Sequence, residues 1–401
     1  MAPKNTVVLG VTGSVAAYKA VELASKLTQE GTIVDVVMTE YAQEFVTPVT
    51  FRSITGRPVV TDMFDPATEY SIEHVSLADR ANLIVIAPAT ANTIAKMAAG
   101  IADNILLSTV LATRAPVLVC PAMDANMYQN SITQDNISHL RKRGVIFVGP
   151  GYGRLASGMQ GQGRFADIDE IVGFIHKALG MGGNLSRRRI VVSAGGTQEP
   201  VDPVRHIGNR SSGKMGYAIA EAARDRGADV VLVTAPTSLR PPSGIDVVQV
   251  QTTSDMLAAI AVSIEGADAL IMAAAPADYR PKEFSPKKLK KGQSKITLEL
   301  VKNPDILCEL QGNFVRIGFA AESEDLVKNA KSKLESKNLD LIVANDITDE
   351  DSGFESDMNK VVLIDRTGNT VDLPLMPKSE VAHRVLDKVV ALLPERRRAR
   401  K

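Results

Sequence analysis

The strongest constraint on this chain is an alternation that occurs twice. Short runs of Val, Ile and Leu are separated by longer stretches whose apolar residues recur at helical spacing. In the first half the runs are Thr6–Gly10, Ile33–Met38, Leu83–Ala87, Pro116–Cys120 and Val145–Val148. Such continuous apolar runs suit strands buried on both faces, as in a parallel sheet covered by helices on either side. Between the first two lies Val15–Glu30, where Ala16, Ala20, Leu23 and Leu27 form one helical stripe. A second series follows: Ile190–Ala194, Asp229–Thr234, Val247–Val250, Ala269–Ala273, Val315–Phe319, Leu341–Ala344 and Val361–Asp365. Strand–helix alternation of this kind predicts two doubly wound α/β domains.

Between the two series, Gly180–Arg189 is glycine-rich and then basic, with no apolar period, and reads as a linker. It separates a domain at 1–179 from one at 190–401. Arg366-Thr367-Gly368-Asn369 reads as a hairpin turn, and Lys378–Leu393 as a closing helix.

Composition removes several classes of function. No apolar stretch approaches the ~20 residues that span a bilayer, and MAPKNT runs straight into TVVLG without a signal-peptide core. Neither secretion nor membrane insertion is expected. Lys+Arg and Asp+Glu are 46 each, which argues against a dedicated nucleic-acid binder. The basic end, Arg396–Lys401, reads as a solvated tail. Cys120 and Cys308 are the only cysteines and form no CxxC pair, so disulfide and zinc-thiolate frameworks lack support and a reducing cytoplasm fits.

The first apolar run ends in Gly10-Val11-Thr12-Gly13-Ser14-Val15-Ala16-Ala17. Small residues and hydroxyls at a strand-to-helix turn offer N–H groups to an anion, usually phosphate. The dinucleotide fingerprint GxGxxG is missing and Thr39, not an acid, ends the second run, so a mononucleotide is favoured over NAD. A tight turn packed with small residues is the alternative for this segment taken alone. Ala87-Pro88-Ala89-Thr90-Ala91-Asn92-Thr93, Gly100-Ile101-Ala102-Asp103-Asn104 and Pro121-Ala122-Met123-Asp124-Ala125-Asn126-Met127-Tyr128 follow later runs, where open α/β sheets place ligands.

With these motifs and the His74 segment in one order, residues 5–178 resemble the homo-oligomeric flavin-containing cysteine decarboxylases. The resemblance implies FMN, with Gly13, Ser14, Thr39, Thr90, Asn92 and Ser108 near its phosphate, ribityl chain or ring. It implies His74 as the catalytic base for the substrate thiol; imidazole, with a reference pKa of ~6.5, suits that role. The sequence departs from the pattern twice. Asp124 stands where the family usually has an Asn that binds the substrate carboxylate. A raised pKa, or neighbouring groups that take over carboxylate binding, would let Asp124 function. Ser157, in the flap Leu155–Arg164, replaces the usual proton-donating Cys, and a hydroxyl is far less acidic than a thiol of pKa ~8.5. Either another acid, with water or Asp124 as candidates, or slow reduction with some ene-thiol released is then expected.

The second half contains the polar, glycine-dense stretch Ser193–Gly216, which includes Gly195-Gly196, Asn209 and Ser211-Ser212-Gly213 ahead of a helix. A solvated linker is the alternative for this stretch alone. Farther on come Ala274-Ala275-Pro276-Ala277-Asp278, the Lys287–Lys291 run, Lys302–Ile306, Gly318–Glu322, Lys333 and Lys337. Lysine runs usually form a solvated face, but in a nucleotide enzyme they neutralise a triphosphate. Across residues 187–390 these motifs resemble phosphopantothenate–cysteine ligase. Together the halves resemble the bifunctional coenzyme A biosynthesis flavoproteins: two Rossmann-like domains, an N-terminal flavoprotein domain and a C-terminal nucleotide-binding ligase domain. The resemblance implies that CTP and Mg2+ or another divalent metal convert 4′-phosphopantothenate to an acyl-cytidylate, from which the cysteine amine displaces CMP. Asn209 would act on that intermediate and Lys288 in its formation. Ala274, Asp278, Lys288, Pro304, Asp305, Ile306, Leu307, Phe319, Lys333 and Lys337 would line the CTP site. Flavoprotein trimers and ligase dimers, hence a dodecamer, are the implied assembly. A flavin-binding scaffold that has lost catalysis is the competing reading, favoured by Asp124 and Ser157 and opposed by His74. A nicotinamide dehydrogenase ranks below both.

Overall fold

The computed structural model describes residues 5–63, 73–290, 297–322, 325–346 and 356–394. Lys291 and the basic tail lie outside them. The chain divides into two compact units, Met1–Leu179 and Gly180–Lys401.

The first unit carries β1 (Thr6–Val11), β2 (Ile33–Met38), β3 (Val59–Val60), β4 (Leu83–Ala89), β5 (Val117–Pro121) and β6 (Ile146–Phe147). They form one parallel sheet in the order β3-β2-β1-β4-β5-β6. Because side chains alternate along a strand, each strand feeds two cores. Leu9, Val36, Val85 and Leu118 pack into one cluster, whereas Val8, Val37, Ile84 and Val119 pack into the cluster on the other face. Removing a side chain such as Ile84 to Ala costs about 2–5 kcal/mol in a core of this kind. A separate antiparallel hairpin, β7 (Gly151–Arg154) with β8 (Gln160–Arg164), forms the flap.

The second unit contains β9 (Arg189–Ala194), β10 (Gln198–Pro200), β11 (His206–Gly208), β12 (Asp229–Thr234), β13 (Asp246–Gln249) and β14 (Ala269–Met272). It continues with β15 (Tyr279–Pro281), β16 (Leu300–Lys302), β17 (Val315–Glu322), β18 (Leu341–Asp346), β19 (Met358–Asp365) and β20 (Thr370–Pro377). Its main sheet runs β13-β12-β9-β14-β17-β18-β19-β20, parallel up to β18 and antiparallel thereafter. The hairpin turn after Asp365 closes as expected, with Gly368 N–H donating to Asp365 O at 2.9 Å. The helix Lys378–Leu392 packs against the helix Lys214–Asp225.

Gly180–Arg189 is not a loose linker. Gly180 ends the helix Ile168–Gly180, and Leu185 is fully buried in the second core. Leu185 N–H donates to Arg226 O at 3.0 Å. A Cβ on Gly183 would fall 2.3 Å from Arg226 O, so the glycine permits close backbone packing rather than freedom. Among the described residues, no helix is long and apolar enough to cross a membrane.

Candidate functional sites

In each sheet the chain winds outward from the first strand, then returns to its other side. The reversal leaves a crevice at the strand carboxyl ends, between β1 and β4 in the first unit and between β9 and β14 in the second.

In the first unit, buried Thr12 bridges the crevice. Its Oγ1 donates to Pro88 O at 2.8 Å and accepts from Thr90 N–H at 3.1 Å. The turn that follows opens the helix Ala17–Gln29, whose N-cap, Ala16, makes no side-chain capping bond. Within the turn, Ala17 N–H donates to Ser14 O at 2.9 Å, Lys19 N–H to Ala16 O at 3.0 Å and Ala16 N–H to Ser14 Oγ at 3.3 Å. Gly13 is required here, because a Cβ would fall 2.5 Å from Tyr41 Cβ. Ser14, Val15 and Ala16 line a cavity of about 620 Å3, together with Lys19, Asp124, Arg154, Ser157 and Arg164. That volume lies within the ~300–1,000 Å3 usual for small-ligand sites.

The flap forms one wall of this cavity. A Cβ at Gly163 would lie 2.2 Å from Met123 O, and one at Gly161 2.7 Å from Ala125 Cβ, so both glycines let the hairpin rest on the Met123–Ala125 segment. At the flap tip Ser157 Oγ donates to Asp124 Oδ2 at 2.7 Å, while Asp124 Oδ1 caps the helix Ala125–Gln129 by accepting from Asn126 N–H. The Ser157 hydroxyl first, and the Asn126 amide second, hold the Asp124 carboxyl below its ordinary value. Both neighbours therefore favour the ionised carboxylate, the opposite direction to the raised pKa expected for Asp124. Neighbouring cations, not a neutral Asp124, can meet a substrate carboxylate: Lys19, Arg154 and Arg164 line the same cavity. Sequence reasoning missed these three, although the alternating arginines at the hairpin ends were a readable signal.

The other expected flavin-site residues lie outside that cavity lining. Thr39 precedes the helix Glu40–Gln43, with its N–H bound to Val11 O at 3.0 Å. Thr90 caps the helix Ala91–Ala99 through Thr93 N–H, and Asn92 is exposed in its first turn. Ser108 lies half-buried on the helix Ile105–Ala112. His74 stands in the first turn of the helix Glu73–Arg80, which packs on the Ser108 helix. That helix is pinned to β2 by Arg80 Nε donating to the buried Asp35 at 2.7 Å. Among the described residues, His74 is not in the lining of the cavity that holds Asp124 and Ser157.

In the second unit the loops after β9 and β14 are stitched together. Ala274 N–H donates to Ser193 Oγ at 3.2 Å, and Ala277 N–H to Thr197 Oγ1 at 2.8 Å. Beneath them Glu199, Thr253 and Asn303 form a buried polar network, in which Glu199 Oε1 accepts twice from Thr253 at 2.8 Å. A cavity of about 450 Å3 opens above. It brings together the expected Asn209, Ala274, Asp278, Phe319 and Lys333, and adds Lys214, Asn345, Asn359 and Lys378, none of which sequence reasoning had singled out for the nucleotide site. Asn209 Nδ2 donates to Pro276 O at 2.8 Å. Gly213 takes the left-handed conformation that starts the helix Lys214–Asp225 without a side-chain cap. Burial first, then the charge of Lys214, lowers the pKa of Lys378. Among the described residues no group of His, Cys, Asp and Glu is arranged to hold a metal ion.

The remaining expected nucleotide residues lie elsewhere. Ile306 and Leu307 are buried in the second unit's core, since both face inward from the short helix Ile306–Glu309. Pro304 precedes that helix and Asp305 caps it. Lys337 is paired with Asp305 at 3.0 Å, so its charge is already engaged. Lys288 is exposed on the loop after β15, outside the cavity lining.

Comparison with known proteins matches both units. The family described as Flavoprotein matches residues 1–180, and the DNA/pantothenate metabolism flavoprotein C-terminal domain matches 185–393. A coenzyme A biosynthesis bifunctional protein of Bacillus subtilis is 42% identical over 98% of both chains. Its counterpart from Escherichia coli K12 is also 42% identical over 98% of both chains. A crystal structure of the C-terminal domain of such a protein is 39% identical, with a TM-score of 0.46, and covers 52% of this chain and 97% of that one. The chain thus belongs to the family of coenzyme A biosynthesis bifunctional flavoproteins, enzymes with decarboxylase and ligase activities.

Proposed function

We propose that the second unit joins cysteine to 4′-phosphopantothenate with CTP, and that the first unit decarboxylates the product to 4′-phosphopantetheine. The supporting observation is that each unit opens a cavity among the loops at its strand carboxyl ends, one rimmed by Lys19, Arg154 and Arg164 and the other by Lys214, Lys333 and Lys378.

FMN fits the first cavity. Ser14 and the turn ahead of the helix Ala17–Gln29 would hold its phosphate, Gly13 leaves no room for a larger side chain, and Thr39 replaces the acid that a dinucleotide ribose would need. Thr90, whose N–H donates to Thr12 Oγ1 beside that turn, would join Asn92 and Ser108 in holding the rest of the flavin. Bound flavin supplies reversible two-electron uptake, so that the substrate carbon is oxidised before carbon dioxide leaves and reduced afterwards. His74 takes the thiol proton. Lys19, Arg154 and Arg164 hold the carboxylate beside the ionised Asp124, the flap excludes water during carbon–carbon cleavage, and water returns the final proton. Ligation proceeds in two displacements. The phosphopantothenate carboxylate attacks the α-phosphorus of CTP and pyrophosphate leaves, with Lys288 assisting. The cysteine amine then attacks the acyl carbon, loses a proton and expels CMP, with Asn209 acting on the acyl-cytidylate. Asp278, Phe319 and Lys333 line the nucleotide cavity, and Pro304, Asp305, Ile306, Leu307 and Lys337, which the family resemblance adds, lie outside that lining. A divalent ion such as Mg2+ enters with the triphosphate. The assembly is a homo-oligomer, trimeric through its flavoprotein units and dimeric through its ligase units, in the cytoplasm.

Mass spectrometry of products from 4′-phosphopantothenate, cysteine and CTP tests this reading. We expect CMP, pyrophosphate, carbon dioxide and 4′-phosphopantetheine. Accumulation of phosphopantothenoylcysteine without carbon dioxide would refute the decarboxylase reading, and absence of CMP the ligase reading.

A further inference from the structure

Asp202 lies between β10 and β11 with its side chain sealed from solvent. Its Oδ1 accepts from Val204 N–H and Arg205 N–H, both at 2.8 Å. Its Oδ2 accepts from Leu289 N–H at 3.1 Å, across 87 residues of chain. Two further bonds join the same segments: Arg205 Nη2 donates to Leu289 O at 3.3 Å, and Ser285 N–H donates to Val201 O at 3.0 Å.

The loop held in this way has no regular secondary structure, and Lys287, Lys288 and Lys290 are exposed. Little apolar burial fixes it, and its lysines repel one another. Its conformation therefore depends on the hydrogen bonds to the Asp202 segment. A buried carboxylate is costly unless its oxygens are satisfied, and here backbone donors satisfy them. Burial alone would raise the Asp202 pKa, but the amides of Val204, Leu289 and Arg205, helped by the Arg205 charge, hold it below its ordinary value.

We propose that Asp202 is a positioning residue for ligation: by gripping the Leu289 amide it sets the backbone that presents Lys288 to the triphosphate. This rests on the role given to Lys288 above. Holding the loop in place before CTP binds removes an ordering cost from the first displacement and leaves the second unaffected.

The test uses the full-length protein with 4′-phosphopantothenate and CTP, without cysteine, and measures pyrophosphate release. Asp202→Asn turns an amide toward the Leu289 N–H, and Leu289→Pro deletes that N–H from the other side, which covers the case in which one variant fails to fold. Both should slow pyrophosphate release at least tenfold and speed tryptic cleavage after Lys287 and Lys290 by a similar factor, with an unchanged KM for cysteine in the complete reaction. Asp202→Asn combined with Lys288→Gln should be no slower than Lys288→Gln alone. If Lys288→Gln releases pyrophosphate normally, the role of Lys288 falls, and the proposal with it. If Lys288→Gln is slow but Asp202→Asn behaves as wild type, or their losses multiply in the double variant, the inference about Asp202 alone is overturned.

Discussion

Ser157 Oγ donates to Asp124 Oδ2 at 2.7 Å, which joins the flap tip to the cap of the helix Ala125–Gln129. The bond ties together the two positions at which this chain departs from its family's pattern. It directs the serine proton to a carboxylate and favours that carboxylate's ionised form, which works against either group as the acid that completes reduction.

The product mixture should reveal this. Ser157→Cys should raise the fraction of fully reduced 4′-phosphopantetheine over ene-thiol, as read by mass spectrometry. Ser157→Ala removes the largest influence lowering the Asp124 pKa. A depressed carboxyl stabilises the fold at pH above its unfolded value, ~3.9, and that contribution fades as pH falls through the folded value. The alanine variant should therefore lose less stability on acidification below pH 4. A wild type that yields only reduced product, with Ser157→Ala unchanged in rate and product, would leave Ser157 without a chemical role.

His74→Asn should lower decarboxylation by about 10^2-fold or more, the usual contribution of a general base. Ligation should stay at the wild-type rate, because the units are separate compact bodies. Carbon dioxide and CMP assays on one folded sample check both; equal loss of the two activities would contradict separate sites.

Arg164→Gln removes a cation from the cavity shared with Asp124. A charge-assisted contact contributes about 1.5–3 kcal/mol, so KM for phosphopantothenoylcysteine should rise about tenfold or more. The ligase KM values should not move.

Thr12→Val orphans Pro88 O and Thr90 N–H together. Leaving buried groups unsatisfied should cost the first unit about 1–3 kcal/mol in denaturant unfolding and weaken flavin retention on dialysis.

Alkylation separates the two cysteines. Burial, with a smaller contribution from Glu170, pushes the Cys120 thiol far above its ordinary range, and Cys120 is fully enclosed. Cys308 is exposed, with a thiol pKa raised by partial burial and then by Asp305. In the native protein at pH 8, iodoacetamide should label Cys308 slowly and Cys120 not at all. Both should react in guanidinium, as peptide mass mapping would show.

The Asn209 and Lys288 assignments separate by stage of reaction. Lys288→Gln should suppress the acyl-cytidylate, whereas Asn209→Asp should let it accumulate because the aspartate acts poorly in the later displacement. Trapping with CTP and 4′-phosphopantothenate distinguishes them, and identical behaviour of the two variants would void the division.

Strand positions, the α/β class and the two-unit organisation were legible because they depend on short-range periodicity. A strand buried on both faces must be apolar throughout, and Asp229–Thr234 is a strand with the bounds its pattern predicts. The turn at Thr12–Ser14 and the loops after β4, β5, β9 and β14 were legible for a related reason: in an open sheet the ligand crevice lies at strand carboxyl ends, and small polar residues gather there. Contacts between distant segments were not legible. Gly183 read as slack, but the tertiary fold uses it for close approach to Arg226. Ile306 and Leu307 matched a nucleotide motif, but the packing of their short helix turns them into the core. Composition shows that Asp124 and Lys337 carry charge; only the folded chain decides that Ser157 bonds the first and that Asp305 engages the second. A charged side chain's chemistry is set by what stands within a few ångströms of it, and in this protein those neighbours come from strand ends and loops that sequence separation keeps far apart.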